Sequence, residues 1–361
     1  MLHCNIVEAV LSVSWLTERR RALGALGTLA LAGPGPWVRA AALPPQAITV
    51  AVGGGAVHPL RHLPLDIAQQ LDYFRQEGLD ATLQDHASDT LALHALARGQ
   101  ADVAAVGYEH AVQAAAAPGG GLRALVLQTR APQLALAVSV RALPRYRDPG
   151  DLRRSRIGIS AWGALDHAMA CTVLAQAGLA PEEVQFIAVG DGPRAQAALR
   201  AARVHALCQP DAVLARLERQ GEVRIVADAR GLDASQAVFG GPMPGSCLVA
   251  SPAFVQARAG RAQALVNAVV HALKWLRTAE PADVVRLVPP AGLLAERSLY
   301  FAALARVREV ISPDGMMPEA GPATALRALA VLQPALAVRK GELARTYTQD
   351  FVRQARQKYG V

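Results

Sequence analysis

One junction constrains this chain more than any other. Ile48-Thr-Val-Ala-Val-Gly-Gly-Gly55 reads as a buried strand running into a glycine-rich turn. His62-Leu-Pro-Leu-Asp-Ile-Ala-Gln-Gln-Leu-Asp-Tyr-Phe-Arg-Gln-Glu-Gly-Leu-Asp80 then reads as one helix, a glycine stop and the entry to a second strand. Pro64 fits a first helical turn, where its missing N–H costs little. Gly78 stands where a helix ends in a left-handed cap. A strand that feeds a glycine turn and a helix N-terminus aims free backbone N–H groups at a cleft.

The same alternation continues along the chain. Periodicity predicts strands at 48–53, 81–85, 103–106, 122–130 and 134–139, and helices at 63–77, 89–98 and from Glu109. Ser88 is a predicted N-cap for the second helix. A second series starts at Arg156, with strands at 156–160, 184–189, 205–208 and 223–227 between helices at 166–177, 193–200 and 211–220. Short links and repeated strand–helix units predict parallel sheet covered by helices. After an apolar strand at 246–250 the chain reads as helical: 252–258, 261–278, 281–287, 295–311 and 324–332. Ala95–Ala105 echoes Ala198–Cys208, each a helix end, a tight turn and a buried strand. Ala202 replaces Gly99 in the second copy, at a cost of about 1 kcal/mol if its φ is positive.

Two alternating halves and a helical tail suit a clamshell that the chain crosses twice, near Arg130–Leu136 and Gly240–Cys247. The expected organisation is an export segment at 1–42, lobe I from 43–133 plus 245–361, and lobe II from 134–244. The first segment carries Arg19-Arg20-Arg21, a short apolar run from Ala22 to Ala32, and small residues at Ala40-Ala-Ala42. Charged start, short apolar centre and small-residue cleavage site make a signal peptide. Its Arg pair and Leu23 resemble a twin-arginine signal, although Glu18 and Ala22 depart from that pattern. The stretch before Leu16 fits no signal pattern, which places the expected translation start downstream of Met1. Export implies a periplasmic location.

The formal charge is +8, but the basic residues are scattered along helices rather than gathered in a stripe. Nucleic-acid binding is therefore not expected. Of Cys4, Cys171, Cys208 and Cys247, no pair has metal-ligand spacing. Cys171, Cys208 and Cys247 sit among apolar neighbours and are expected as small buried hydrophobes.

The order and spacing of several segments resemble a known family. They are His62–Asp80, Gly99-Gln-Ala-Asp-Val103, Gly107-Tyr-Glu-His110, Leu127-Gln-Thr-Arg-Ala-Pro132, Ile157-Gly-Ile-Ser-Ala-Trp-Gly-Ala164 with His167, Val238–Gly245, Leu265–Trp275 and Ser312-Pro-Asp-Gly-Met-Met-Pro318. Together they are similar to solute-binding proteins of ABC importers, of the nitrate, sulfonate, taurine and thiamine-pyrimidine group. The resemblance implies an α/β, type II periplasmic-binding-protein fold: two Rossmann-like lobes joined by a two-strand hinge, with a helical C-terminal segment. It further implies a small-molecule ligand held between the lobes and two partners, a membrane permease and its ATPase. No cofactor or metal is expected, and the protein is expected to be a monomer. A sensor lobe serving a membrane receptor would have the same sequence. The iron-dependent pyrimidine synthase of thiamine biosynthesis, related by fold, uses a cysteine-rich motif that this chain lacks.

Clefts in two-lobed α/β folds lie at the carboxyl ends of strands. The candidate ligand-binding residues are therefore Gly54, Gly55, His62, Asp89, Tyr108, Glu109, Thr129, Arg130, Trp162, Gly163 and Asp211. Ser88, Gly107, Ser160 and Asp191 occupy comparable places. Asp89, Asp191 and Asp211 also suit simple helix capping. Arg130 suits either a ligand carboxylate or a structural ion pair. Family members often carry Gly-Ser-Ser at the second-lobe helix start, where hydroxyls hold an anionic head. Here Trp162-Gly163-Ala164-Leu165 stands in that place, so an anionic ligand loses those contacts and Trp162 is free to stack on a ring. Acidic residues near the cleft suit a cationic or hydrogen-bonding ligand, such as an aminopyrimidine.

Overall fold

The computed structural model describes residues 44–55, 59–116, 121–288, 290, 295–333, 336, 338 and 340–361. The expected export segment and Cys4 lie outside the described residues.

The chain opens with β1 (Gln46–Gly53), α1 (Leu63–Gln70), α2 (Tyr73–Gln76), β2 (Leu79–His86), α3 (Asp89–Ala97), β3 (Val103–Gly107), α4 (Glu109–Ala116) and β4 (Arg123–Leu127). It crosses to β5 (Leu134–Ser139), β6 (Arg156–Ile159), α5 (Leu165–Gln176), β7 (Gln185–Ala188), α6 (Pro193–Arg200), β8 (Ala206–Pro210), α7 (Asp211–Arg219), β9 (Val223–Ala229) and α8 (Leu232–Phe239). It returns as β10 (Ser246–Ala250) and continues as α9 (Pro252–Ala257), α10 (Ala259–Thr278), α11 (Pro281–Leu287), α12 (Arg297–Val310), α13 (Gly321–Ala330), α14 (Lys340–Leu343) and α15 (Asp350–Tyr359).

These strands form two five-stranded sheets, in the orders β2-β1-β3-β10-β4 and β7-β6-β8-β5-β9. The expectation of purely parallel sheet needs correction. β1 is parallel to β2 and β3, but β10 is antiparallel to β3 and β4. Likewise β6 is parallel to β7 and β8, whereas β5 is antiparallel to β8 and β9. The antiparallel strand of each sheet is the one on which the chain arrives from the other sheet, β5 directly from β4 and β10 from β9 by way of α8. The two connections run side by side. Gly245 N donates to Thr129 O at 2.9 Å, and Thr129 N donates to Ser246 O at 3.2 Å.

The helix predicted over 63–77 divides at Leu71–Asp72, where Asp72 takes a φ of 56°, a conformation that Asp tolerates better than most residues. The break turns Tyr73 and Phe74 into the core, and the Tyr73 ring stacks on His271 of α10 at 3.7 Å. Neither α8 nor α15 was expected. α15 packs on α10, and Lys358 and Tyr359 bind the Glu77 carboxylate at the end of α2. The edge of the first sheet at β4 is covered by the tail: Ala124 N donates to Thr346 O at 2.8 Å, and Thr348 N to Ala124 O at 2.9 Å. Cys171, Cys208 and Cys247 are free thiols buried in the core. Among the described residues, no helix is long and apolar enough to cross a membrane.

Candidate functional site

The carboxyl ends of strands from both sheets converge on a cavity of about 690 Å³. Gly54, Asp89, Glu109 and Thr129 line it from the first sheet's side, and Ser160, Asp166, Asp191 and Asp211 from the second. Ala303 and Val307 of α12 close part of its wall.

The centre of the first wall is an ion-pair cluster. Ser88 caps α3 as expected, its hydroxyl accepting from Leu91 N. Asp89 is thereby released from capping. Its two carboxylate oxygens accept from Arg61 Nη1 and Nη2 at 2.7 Å each, and Oδ2 also accepts from Gly107 N at 3.0 Å. His110 Nε2 lies 3.2 Å from the same oxygen. Burial alone would raise the Asp89 carboxyl, but Arg61 and His110 outweigh it and hold the group well below the usual range. The His110 imidazole is raised, because Asp89 and Glu109 outweigh the cost of burying its charge.

Glu109 begins α4 and is 5% exposed. Its Oε2 has no hydrogen-bond partner, and burial lifts its carboxyl above the ordinary value. Two glycines make room for these carboxylates. A Cβ on Gly53 would lie 2.3 Å from Asp89 Oδ1, and one on Gly107 2.2 Å from Glu109 Oε2.

On the second wall, Asp166 accepts from Ser160 N at 2.5 Å, Ser160 Oγ at 3.0 Å and His167 N at 2.9 Å. Burial nonetheless pushes its carboxyl up to about 7. Burial also raises Asp191, to about 6, against the pull of Arg61. Asp211 is engaged elsewhere: it pairs with Arg230 at 3.0 Å and with Arg306 of α12 at 3.3 Å. Arg230 also binds Glu218 and Asp228. Simple helix capping is thus corrected for Asp89 and Asp211, whose carboxylates face cations, and for Asp191, because α6 has no side-chain cap and starts from Gly192.

Of the expected binding residues, Gly54, Asp89, Glu109, Thr129 and Asp211 line the cavity. Six others lie off its wall. Gly55 packs against Asp85. His62 is buried behind the first wall; its Nε2 donates to Gly53 O at 3.2 Å and its Nδ1 accepts from Gln128 Nε2 at 3.0 Å. Tyr108 is fully buried, and because Thr346 Oγ1 already donates to Leu343 O, the Tyr108 hydroxyl donates to Thr346 at 2.5 Å. Arg130 turns away to donate to Glu309 O at 3.2 Å. Trp162 is 60% exposed and packs edge-on against His167 and Phe186. Gly163 O accepts from Gln113 Nε2 of α4 at 3.0 Å, a bond from the first sheet's helix to the turn before α5.

Sequence reasoning missed Arg61, His110, Asp166 and the α12 residues as parts of this wall. Gly107-Tyr-Glu-His110 carried a signal for His110, since a residue one position past Glu109 opens the same helix. Arg61 carried none, because its partner lies 28 residues away.

A family model described as NMT1/THI5 like matches residues 60–283. A solved protein from Bordetella bronchiseptica RB50 is 39% identical, with 87% of this chain and 98% of that one covered at a TM-score of 0.79. The alkanesulfonate-binding protein SsuA from Xanthomonas axonopodis pv. citri, solved bound to MOPS, is 21% identical; 85% of this chain and 99% of that one are covered at a TM-score of 0.62. The periplasmic nitrate-binding protein NrtA from Synechocystis PCC 6803 is 12% identical, with coverages of 87% and 89% and a TM-score of 0.65. At these identities the last two share the fold, that of periplasmic binding proteins, and nothing more. Among curated proteins, none matches this sequence.

Proposed function

The chain belongs to the NMT1/THI5-like family, and from that premise we propose that it is the exported substrate-binding component of an ABC importer. It captures a small organic solute, of the sulfonate, nitrate-like or pyrimidine-type range, and delivers it to a membrane permease and its ATPase. Lobe I is residues 43–133 plus 245–361 and lobe II is 134–244; residues 1–42 direct export to the periplasm and are removed. The protein acts as a monomer and binds without catalysing a reaction.

The observation that carries this reading is the cavity of about 690 Å³ between the two sheets, lined from both at the carboxyl ends of their strands. Its volume suits a small molecule, and its place is where open α/β sheets hold ligands. The paired connections at Thr129 and Gly245 form a narrow waist about which the lobes turn, so solute entering an open cleft is enclosed by closure. Gln113 donating to Gly163 O then latches one lobe to the other. The closed shape is what the permease recognises.

The test is thermal unfolding with sulfonates, nitrate, carboxylates, aminopyrimidines and aromatic acids, paired with small-angle scattering. A solute at 100 times its Kd stabilises the fold by about 2.7 kcal/mol, and closure reduces the radius of gyration. A panel that moves neither quantity would defeat the proposal.

A further inference from the structure

We infer that the cavity selects a solute bearing an organic cation rich in N–H donors, received between Glu109 and Asp191, and rejects simple sulfonates and nitrate. This deepens the solute-binding reading and rests on it.

Three lining side chains are basic: Arg61, His110 and Arg194. Arg61 is spent on Asp89, with both ends of its fork engaged at 2.7 Å. His110 is held by Asp89 through Nε2 at 3.2 Å and by Gln113 Oε1 through Nδ1 at 3.1 Å. Neither presents a free N–H fork to an incoming anion. Arg194 has no carboxylate partner among the described residues, but it is exposed to solvent, where an ion pair is worth about 1 kcal/mol or less.

The acidic side differs. Five carboxyl groups line the cavity, and three are satisfied: Asp89 by Arg61 and His110, Asp166 by three donors, Asp211 by Arg230 and Arg306. Two are less fully matched. Glu109 Oε1 lies 3.8 Å from His110 Nε2, but its Oε2 is buried with no hydrogen-bond partner, and Asp191 feels Arg61 only at a distance, with no hydrogen bond or ion pair among the described residues. They stand on opposite walls, one opening α4 after β3 and the other following β7. A buried carboxylate without a donor is costly, and a ligand N–H group directed at it relieves that cost. An anion placed there would instead meet two like charges across a weakly screening cavity.

A bound metal ion is the competing source of positive charge, since ligand atoms of Asp89, Glu109 and His110 lie within 4.8 Å of one another. The guanidinium of Arg61 already occupies both oxygens of Asp89, so an ion there must first displace it. The organic cation needs no such rearrangement.

The experiment is calorimetric titration and thermal unfolding of the full chain with benzamidinium, agmatine and ethanolamine, against taurine, MOPS, nitrate and zinc chloride. The expected result is a response to at least one organic cation and none to the anions. Glu109→Gln and Asp191→Asn, which preserve shape, should each weaken that binding at least tenfold. Tight binding of an anion that Arg194→Ala abolishes would overturn the cation assignment and leave the solute-binding reading intact. A response to zinc alone would replace the organic cation with a metal. No response to any organic cation would overturn the cation assignment, while the solute-binding reading would still be decided by the broader panel and by scattering.

Discussion

Arg61 and Asp89 meet end to end, Nη1 on Oδ1 and Nη2 on Oδ2, each at 2.7 Å, at the floor of the cavity between the sheets. The pair fixes two charges that would otherwise dominate the site. It joins the turn just before α1 to the start of α3, and Gly107 N adds the end of β3 at 3.0 Å. One carboxylate thus gathers three strand ends of the first sheet.

Breaking this pair from one side should be costly. Asp89→Asn keeps the volume but leaves the guanidinium without its counter-charge, and removing one partner of a buried pair costs about 3 kcal/mol or more. Urea unfolding should show a lower midpoint with unchanged slope. The double variant Arg61→Leu with Asp89→Leu should recover part of the loss, and full additivity of the two single effects would refute the coupling.

A second pair spans the α12–α7 contact. Arg230 is 6% exposed and binds Asp211, Glu218 and Asp228, while Arg306 of α12 reaches Asp211 from a side chain 38% exposed. Arg230→Met should destabilise by about 3 kcal/mol, since Asp211 would lose its buried counter-charge. Arg306→Ala should cost less than about 1 kcal/mol, as a solvated pair does. Equal losses in chemical denaturation would contradict this ranking.

Ala202 adopts a φ of 53° after α6, at the turn where the sequence echo has Gly99 with a φ of 69°. Ala202→Gly should therefore stabilise the fold by about 1 kcal/mol, because a glycine carries no Cβ penalty there. A midpoint unchanged or lowered in urea would mean that the gain in unfolded-chain entropy cancels the relief.

The buried carboxyls set a pH dependence of definite sign. Asp166 rises from an ordinary 3.8 to about 7, and Asp191 to about 6. Both keep their proton in the folded state after the unfolded chain has released it. The folded protein thus binds more protons across the window from about 4 to about 7, and stability contributed by these groups falls as pH rises through it. Asp89 acts oppositely: its contribution is present above the ordinary carboxylate value and is lost as pH falls below it. Asp166→Asn should flatten the upper window in a series of unfolding curves and leave the acid limb unchanged. An unaltered upper slope would show that Asp166 is ionised when folded.

What the sequence by itself determined was local. Alternating apolar runs, the Ser88 cap, Pro64 in a first turn and the strained Ala202 are each decided within a few residues, by backbone sterics and by the period of the buried face. That the chain forms two α/β units followed by a helical tail was legible on the same ground. Tertiary structure decided the rest, because charges and hydroxyls choose partners across the fold. Tyr108 follows a strand end and so looked available to a ligand, yet its hydroxyl is taken by Thr346, 238 residues away. Arg61 looked like an ordinary loop residue until Asp89 was brought beside it. The two antiparallel strands, β5 and β10, escaped a local reading for the same reason: strand direction depends on which sheet the chain has just left, and no window of residues encodes that.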